Sequence, residues 1–153
     1  EGRVGFSLRK LASEVGRTTA SIYTHFDSAE QVLDAVAARY LDTTELPAPS
    51  GDPLTDVETF AVADFRRALE HPELASLVVE RRPVTPAARH AADYLENRLR
   101  KAGVDPEMVK TTKSTLGLHT MGAFAMRLGE TTSTPLDQFH QNVQLILRGF
   151  QTG

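Results

Sequence analysis

A short row of hydroxyl-bearing residues, Thr18, Thr19, Ser21 and Thr24, with Ala20 set among them, has the side chains and spacing that suit one definite chemistry. Small hydroxyls donate to or accept from several base edges, and an Ala or Thr methyl can touch the methyl of thymine. A helix presenting them outward therefore has the short, polar face that a DNA major groove admits. Tyr23 and His25 beside them have the reach and the donors to hold phosphates, and Ser7 and Arg9, from the element before, flank the row in the same role. Competing chemistries lack their residues. No cysteine is present, which removes disulfides, thiolate nucleophiles and cysteine-ligated metals. His25, His71, His90, His119 and His140 are scattered, with no H-E-x-x-H and no i, i+4 pair for zinc. No Gly-x-Ser-x-Gly elbow, phosphate-binding loop or dinucleotide glycine fingerprint occurs, so the chain reads as a non-enzyme without metal or cofactor.

The elements that must position the row are helices. Leu8, Leu11, Ala12 and Val15 recur at i, i+3, i+4, i+7 behind Ser7, a natural N-cap, and Gly16 is the residue best able to end that helix in a left-handed conformation. Thr18 or Thr19 caps a second short helix, expected to reach about His25 and to bury Ile22 and Phe26. Ser28 and Gln31 form a capping box for a third helix, whose apolar stripe is Val32, Leu33, Val36, Ala37 and Tyr40. From Asp42 to Pro53 the run DTTELPAPSGDP is too broken for regular structure, which puts a domain boundary there, with residues 1–45 before it and 46–153 behind.

Beyond the boundary the signals are helical again, so the fold class is all-α, with no convincing strand. An amphipathic stretch covers about residues 54–70 and ends before Pro72, a short apolar segment runs from Leu74 to Val79, and Thr85-Pro86 opens a helix that stops at Gly103. Asp105-Pro106 opens another toward Leu128-Gly129. Thr134-Pro135 opens the last, where Leu136, Phe139, Val143, Ile146 and Phe150 form the narrow seam of a helix packed on helices. Small Gly117 and Gly122 permit close approach by a partner helix, and with that seam they suggest a four-helix bundle between two subunits.

Charge is distributed unevenly. The formal net charge is −3, yet between Arg3 and His25 the basic residues Arg3, Arg9, Lys10 and Arg17 face one acidic residue, Glu14. A small positive patch on an acidic body suits a local phosphate contact. No apolar run approaches the length of a membrane span and no secretory leader is visible, so a cytoplasmic protein with no membrane partner is expected.

The run Leu8-Arg-Lys-Leu-Ala-Ser-Glu-Val-Gly16, followed by Ser21-Ile-Tyr-Thr-His-Phe26 and then Val32-Leu-Asp-Ala-Val36, resembles the DNA-binding domain of the tetracycline-repressor (TetR) family. That resemblance implies an N-terminal helix-turn-helix domain and a C-terminal antiparallel helical domain that dimerises and encloses a ligand cavity. It implies a homodimer on a palindromic double-stranded operator, acting as a repressor released by a small-molecule effector. Carried over by position, the base-facing residues are Thr18, Thr19, Ala20, Ser21 and Thr24, and the phosphate contacts are Ser7, Arg9, Tyr23 and His25. The family's pattern has a further helix ahead of the position of Gly2, without a counterpart in this sequence. It also often has a lysine just after the His-Phe pair, where this chain has Asp27-Ser28-Ala29, so one backbone contact is expected to be absent. For the cavity wall the sequence offers Phe60, Phe65, Leu69, Tyr94, Leu95, Met121, Phe124 and Met126, with His119 as the polar candidate; core and pocket draw on the same residue types. The alternative is a helical ligand-binding or dimerisation module of the same fold that does not bind DNA.

Overall fold

Helices begin in this chain where a side chain is present to accept the first free amides. In a computed structural model, which describes residues 7–128 and 134–150, the elements are α1 (Leu8–Glu14), α2 (Thr19–Tyr23), α3 (Ala29–Asp42), α4 (Pro53–Glu70), α5 (Pro72–Arg81), α6 (Pro86–Lys101), α7 (Val109–Leu128) and α8 (Leu136–Gly149). Gly2, Arg3 and Gly129, named above, lie outside the described residues. Among those described there is no strand. Ser7, Thr18, Ser28, Asp52 and Thr85 each accept a backbone N–H from the first turn of the helix that follows. Each such cap contributes about 1 kcal/mol. Proline stands in the first turn of α4, α5 and α6, where its missing N–H costs nothing.

Two starts differ from the sequence reading. Pro72 does more than stop α4: it opens α5, so the apolar segment from Leu74 to Val79 is the inner part of a helix separated from α4 only by His71. In turn, α7 begins at Val109 rather than directly behind Pro106, because Asp105 first accepts the Glu107 amide at 2.8 Å in a turn. Val104 and Val109 at the two ends of that turn are both buried, which anchors it to the core.

The main core is built around α4, which packs against α5, α6, α7 and α8. Phe65 of α4 stacks on Phe139 of α8 with ring centroids 4.1 Å apart, and both rings are fully buried. Val57, Leu99, Val109 and Val143 close around them. Burying side chains of this size contributes about 1.5–3 kcal/mol each. A smaller cluster joins α3 to α5 through Leu33, Ala37 and Leu77.

The Thr44–Asp52 connection has no regular structure, yet it is tied down along its length. Arg67 of α4 donates to the Tyr40 carbonyl and to the hydroxyls of Thr43 and Thr44, and its guanidinium lies 3.8 Å from the centre of the Tyr40 ring. The Tyr94 hydroxyl donates to the Pro47 carbonyl at 3.1 Å. Asp56, 1% exposed, accepts the Ser50 amide at 2.7 Å and faces Arg98 at 3.4 Å.

The hydrogen bonds from Ser50, backbone first, hold the Asp56 carboxyl below the usual aspartate range, and Arg98 adds to them against the opposing effect of burial. A carboxyl with a lowered folded pKa stabilises the fold above its unfolded value of about 4, and that stabilisation is lost as pH falls through the lower, folded value. Replacing Asp56 by Asn is therefore expected to lower the thermal midpoint by several degrees at pH 7 and to flatten its fall below about pH 4. Thermal melts of both proteins from pH 7 to pH 2.5 check this, and parallel curves would contradict it.

Candidate nucleic-acid interface

The reversal between α1 and α2 comes from Gly16, whose φ of +64° lies in the left-handed region. Around it the Arg17 amide donates to the Ala12 carbonyl at 2.8 Å and the Gly16 amide to the Ser13 carbonyl at 3.2 Å, the paired bonds of a Schellman turn. One residue later Thr18 takes the capping role, its hydroxyl accepting the Ser21 amide at 3.1 Å, which settles the choice between Thr18 and Thr19. The helix ends at Tyr23, two residues sooner than expected, but turn bonds continue: the amides of His25 and Phe26 both donate to the Ile22 carbonyl.

The side chains of this element divide as the spacing demands. Thr18, Ala20, Thr24 and His25 are exposed, Tyr23 is 53% exposed, and Thr19 and Ser21 are half-buried at its flank. The Thr24 hydroxyl donates to the Ser21 carbonyl at 2.7 Å, which fixes its orientation and leaves its oxygen lone pairs to accept. On α1, Ser7 and Arg9 are exposed, with the Ser7 hydroxyl accepting the Lys10 amide at 3.2 Å. The nine residues read as a DNA face therefore lie on the N-cap and first turn of α1 and along α2 and the turn after it.

The inner side is less buried than its apolar spacing implied. Leu8 and Ala12 are buried, but Leu11, Ile22 and Phe26 are only half so, and Val15, at the C-cap of α1, is 56% exposed. Two short helices have too little surface to enclose these side chains against α3. Phe26 lines a cleft of about 490 Å³ with Val32, Val36, Tyr40 and Leu74. At the start of α3, the Gln31 side chain accepts the Asp27 amide at 2.8 Å and donates to the Asp27 carboxylate at 3.1 Å. The reciprocal half of the capping box thus closes one residue earlier than its usual form.

The residues proposed for a ligand cavity occupy four settings. Phe65 and Phe124 are buried in the core, with Leu69 and Leu95 packed against it. Phe60 faces Tyr94 at 6.3 Å between centroids and lines a cleft of about 360 Å³ with Thr44, Asp64 and Arg67. His119 stacks on Phe139 at 5.0 Å, and its buried Nε2 has no hydrogen-bond partner among the described residues. Desolvation lowers its pKa, so the ring is neutral at pH 7. Met121 and Met126 point outward with Leu118 on α7, as does Leu145 on α8. Sequence spacing alone did not reach Arg67 and Arg81, whose partners lie more than twenty residues away. Among the described residues no group of His, Asp and Glu is placed to hold a metal, and no helix is long and apolar enough to cross a membrane.

No known family profile matches the chain. Over 112 residues it is 31% identical to the HTH-type transcriptional repressor DrrR1 of Streptomyces coeruleorubidus, which covers 71% of this chain and 42% of that protein. Over 98 residues it is 31% identical to an HTH-type transcriptional regulator of Saccharopolyspora erythraea, covering 63% and 42%. The chain thus spans about two-fifths of the length of these curated relatives. Among solved structures it superposes on the TetR family protein ActR of Streptomyces coelicolor in complex with actinorhodin, with a TM-score of 0.79 at 22% identity over 98% of this chain and 88% of that one. It also superposes on BioQ with its double-stranded DNA operator, at a TM-score of 0.76 and 22% identity, covering 99% and 88%. The chain has the TetR fold.

Within the TetR fold the local chemistry of this chain hinges on Gly16. A Cβ there would meet no neighbouring atom, so any cost of substitution comes from backbone conformation alone. Gly16→Ala is expected to destabilise by about 1–2 kcal/mol, and Gly16→Asn, which tolerates the left-handed region, by clearly less. Urea titration of the three proteins checks the order, and equal midpoints for Ala and Gly would contradict it.

Proposed function

We propose that the chain is a TetR family transcriptional regulator, a repressor that binds a palindromic operator as a homodimer and is released by a small molecule. The observation that carries this reading is the outward row of Thr18, Ala20 and Thr24, flanked by exposed Tyr23 and His25, on a helix held off α1 by a left-handed glycine. In this reading Thr18, Thr19, Ala20, Ser21 and Thr24 meet base edges, and Ser7, Arg9, Tyr23 and His25 hold the backbone. Asp27 is occupied by Gln31 and supplies no backbone contact. Residues 1–45 are the DNA-binding domain and 46–153 the ligand-binding and dimerisation domain of a cytoplasmic, non-catalytic protein.

The exposed apolar side chains of Leu118, Met121 and Met126 on α7 and Leu145 on α8 support dimerisation through these two helices. The effector enters among α4, α6 and α7, where the unpartnered Nε2 of neutral His119 offers an acceptor beside Phe139. It acts by binding more tightly to the arrangement that does not fit the operator, since equal affinity for both arrangements would shift nothing.

Tyr23→Phe or His25→Ala is expected to weaken binding about five- to tenfold on every sequence, the effect of one lost phosphate hydrogen bond. Thr19→Ala or Ser21→Ala instead changes which bases are preferred. Gel retardation on DNA from upstream of the protein's own gene, at several salt concentrations, separates the two groups. A wild-type chain that retards no DNA at low salt would favour the ligand-binding module that has lost this activity.

A further inference from the structure

Between α3 and α5 the contact is apolar in the middle and charged at one end. Leu33 and Ala37 meet Leu77, with Val36 and Val78 packed at the margin. One turn further along α5, Arg81 forks onto two carboxylates one turn back along α3, donating to Asp34 at 2.9 Å and to Glu30. The two helices therefore run antiparallel. The Arg81 side chain is 13% exposed while its partners are 69% and 59% exposed, so a largely desolvated cation reaches out to a surface helix. Isolated surface pairs contribute little, but a shielded guanidinium shared between two carboxylates is the geometry in which such pairs do count. Arg81 is the last residue of α5, and Arg82 behind it has φ +48°, so the helix ends where the fork is needed.

The carboxylates that Arg81 grips lie in the first two turns of α3, beside the capping box. There Gln31 binds both the amide and the carboxylate of Asp27, and only His25 and Phe26 separate Asp27 from Thr24 at the C-cap of α2. Two sets of polar bonds, joined by the backbone of residues 24–31, thus lie between α5 and the end of the outward helix. At the far end of α3, Arg67 makes the corresponding attachment to the Tyr40 carbonyl and Thr43.

We propose that Arg81 is a positioning residue: by holding the first turn of α3 it sets where the helical domain carries α2, and so the orientation of the DNA-facing row. This rests on the reading of α2 as the DNA-contacting helix. A change at α5 reaches α2 through this fork more directly than through the Thr44–Asp52 connection, which is fastened to α4 and α6 rather than to α1 or α2.

The test uses the full chain with Arg81→Met, which keeps an unbranched stem, Arg81→Lys, and the pair Glu30→Gln with Asp34→Asn. Amide hydrogen exchange in the free protein is expected to quicken about fivefold over residues 29–34 in Arg81→Met and in the carboxylate pair, with α4 and α8 unchanged and Arg81→Lys between. Combining Arg81→Met with the carboxylate pair should add nothing further. Unchanged exchange at residues 29–34, additive effects, or equal acceleration across α4 and α8 would each overturn the proposal. The second arm measures affinity for a duplex from upstream of the protein's own gene. Removing two negative charges near DNA would tighten binding by electrostatics alone, whereas lost positioning weakens it, and about fivefold weaker binding by Glu30→Gln with Asp34→Asn is expected. Tighter binding overturns the proposal. Absence of binding by the wild-type chain overturns the DNA reading instead, and the exchange arm still decides whether the fork holds α3.

Discussion

Everything that α2 offers to solvent depends on how sharply the chain turns at Gly16. A residue in the left-handed region ends α1 with two satisfied carbonyls and starts α2 within two residues, so the second helix leaves at an angle and cannot continue the first. That geometry puts Thr18, Ala20, Tyr23 and Thr24 outside and leaves Ile22 and Phe26 half-buried, Phe26 beside α3. Because the helix is one turn and a half long, caps at both ends do much of the work that burial does in the larger helices: Thr18 at its start and the Thr24 hydroxyl at its end.

Electrostatics fits this division. An acidic chain meets a polyanion only where its negative groups are occupied or distant. Around the outward helix Asp27 is bound by Gln31, and Glu30 and Asp34 are drawn toward Arg81, while Arg9 and Arg17 remain exposed on the same end of the molecule. The acid excess lies beyond His25, in α3 as well as in the larger helical domain. Repulsion from its more distant groups is screened within about 10 Å at ordinary salt.

Much of this was legible in the sequence because helix ends are written locally. Ser7, Thr18, Ser28, Asp52 and Thr85 cap the helices that their neighbours' periodicity announces, and Gly16 ends α1 as its lack of a Cβ allows. What escaped was set by contacts remote in sequence. Apolar spacing put Ile22 and Phe26 inside, but how far they are covered depends on the area that α1 and α3 can bring to them. Phe65 and Phe124 belong to residue types that core and cavity wall share, with core the default, and the stacking of Phe65 on Phe139 places the former at the centre of the core. Arg67 and Arg81 carry no signal of their own in the sequence, because nothing near them in the chain forecasts a partner on α3.

Hydroxyl-radical footprinting of the chain on its operator addresses the central claim most directly, since it reports where the backbone is held rather than merely that DNA is bound. Two protected patches on one face of the duplex, centred about 34–36 Å or a multiple of that apart, are expected from two outward helices held by one dimer. The Tyr23→Phe protein should weaken both patches together. A single protected patch, or protection that survives in a protein carrying Thr18, Tyr23 and His25 all replaced by Ala, would contradict the account.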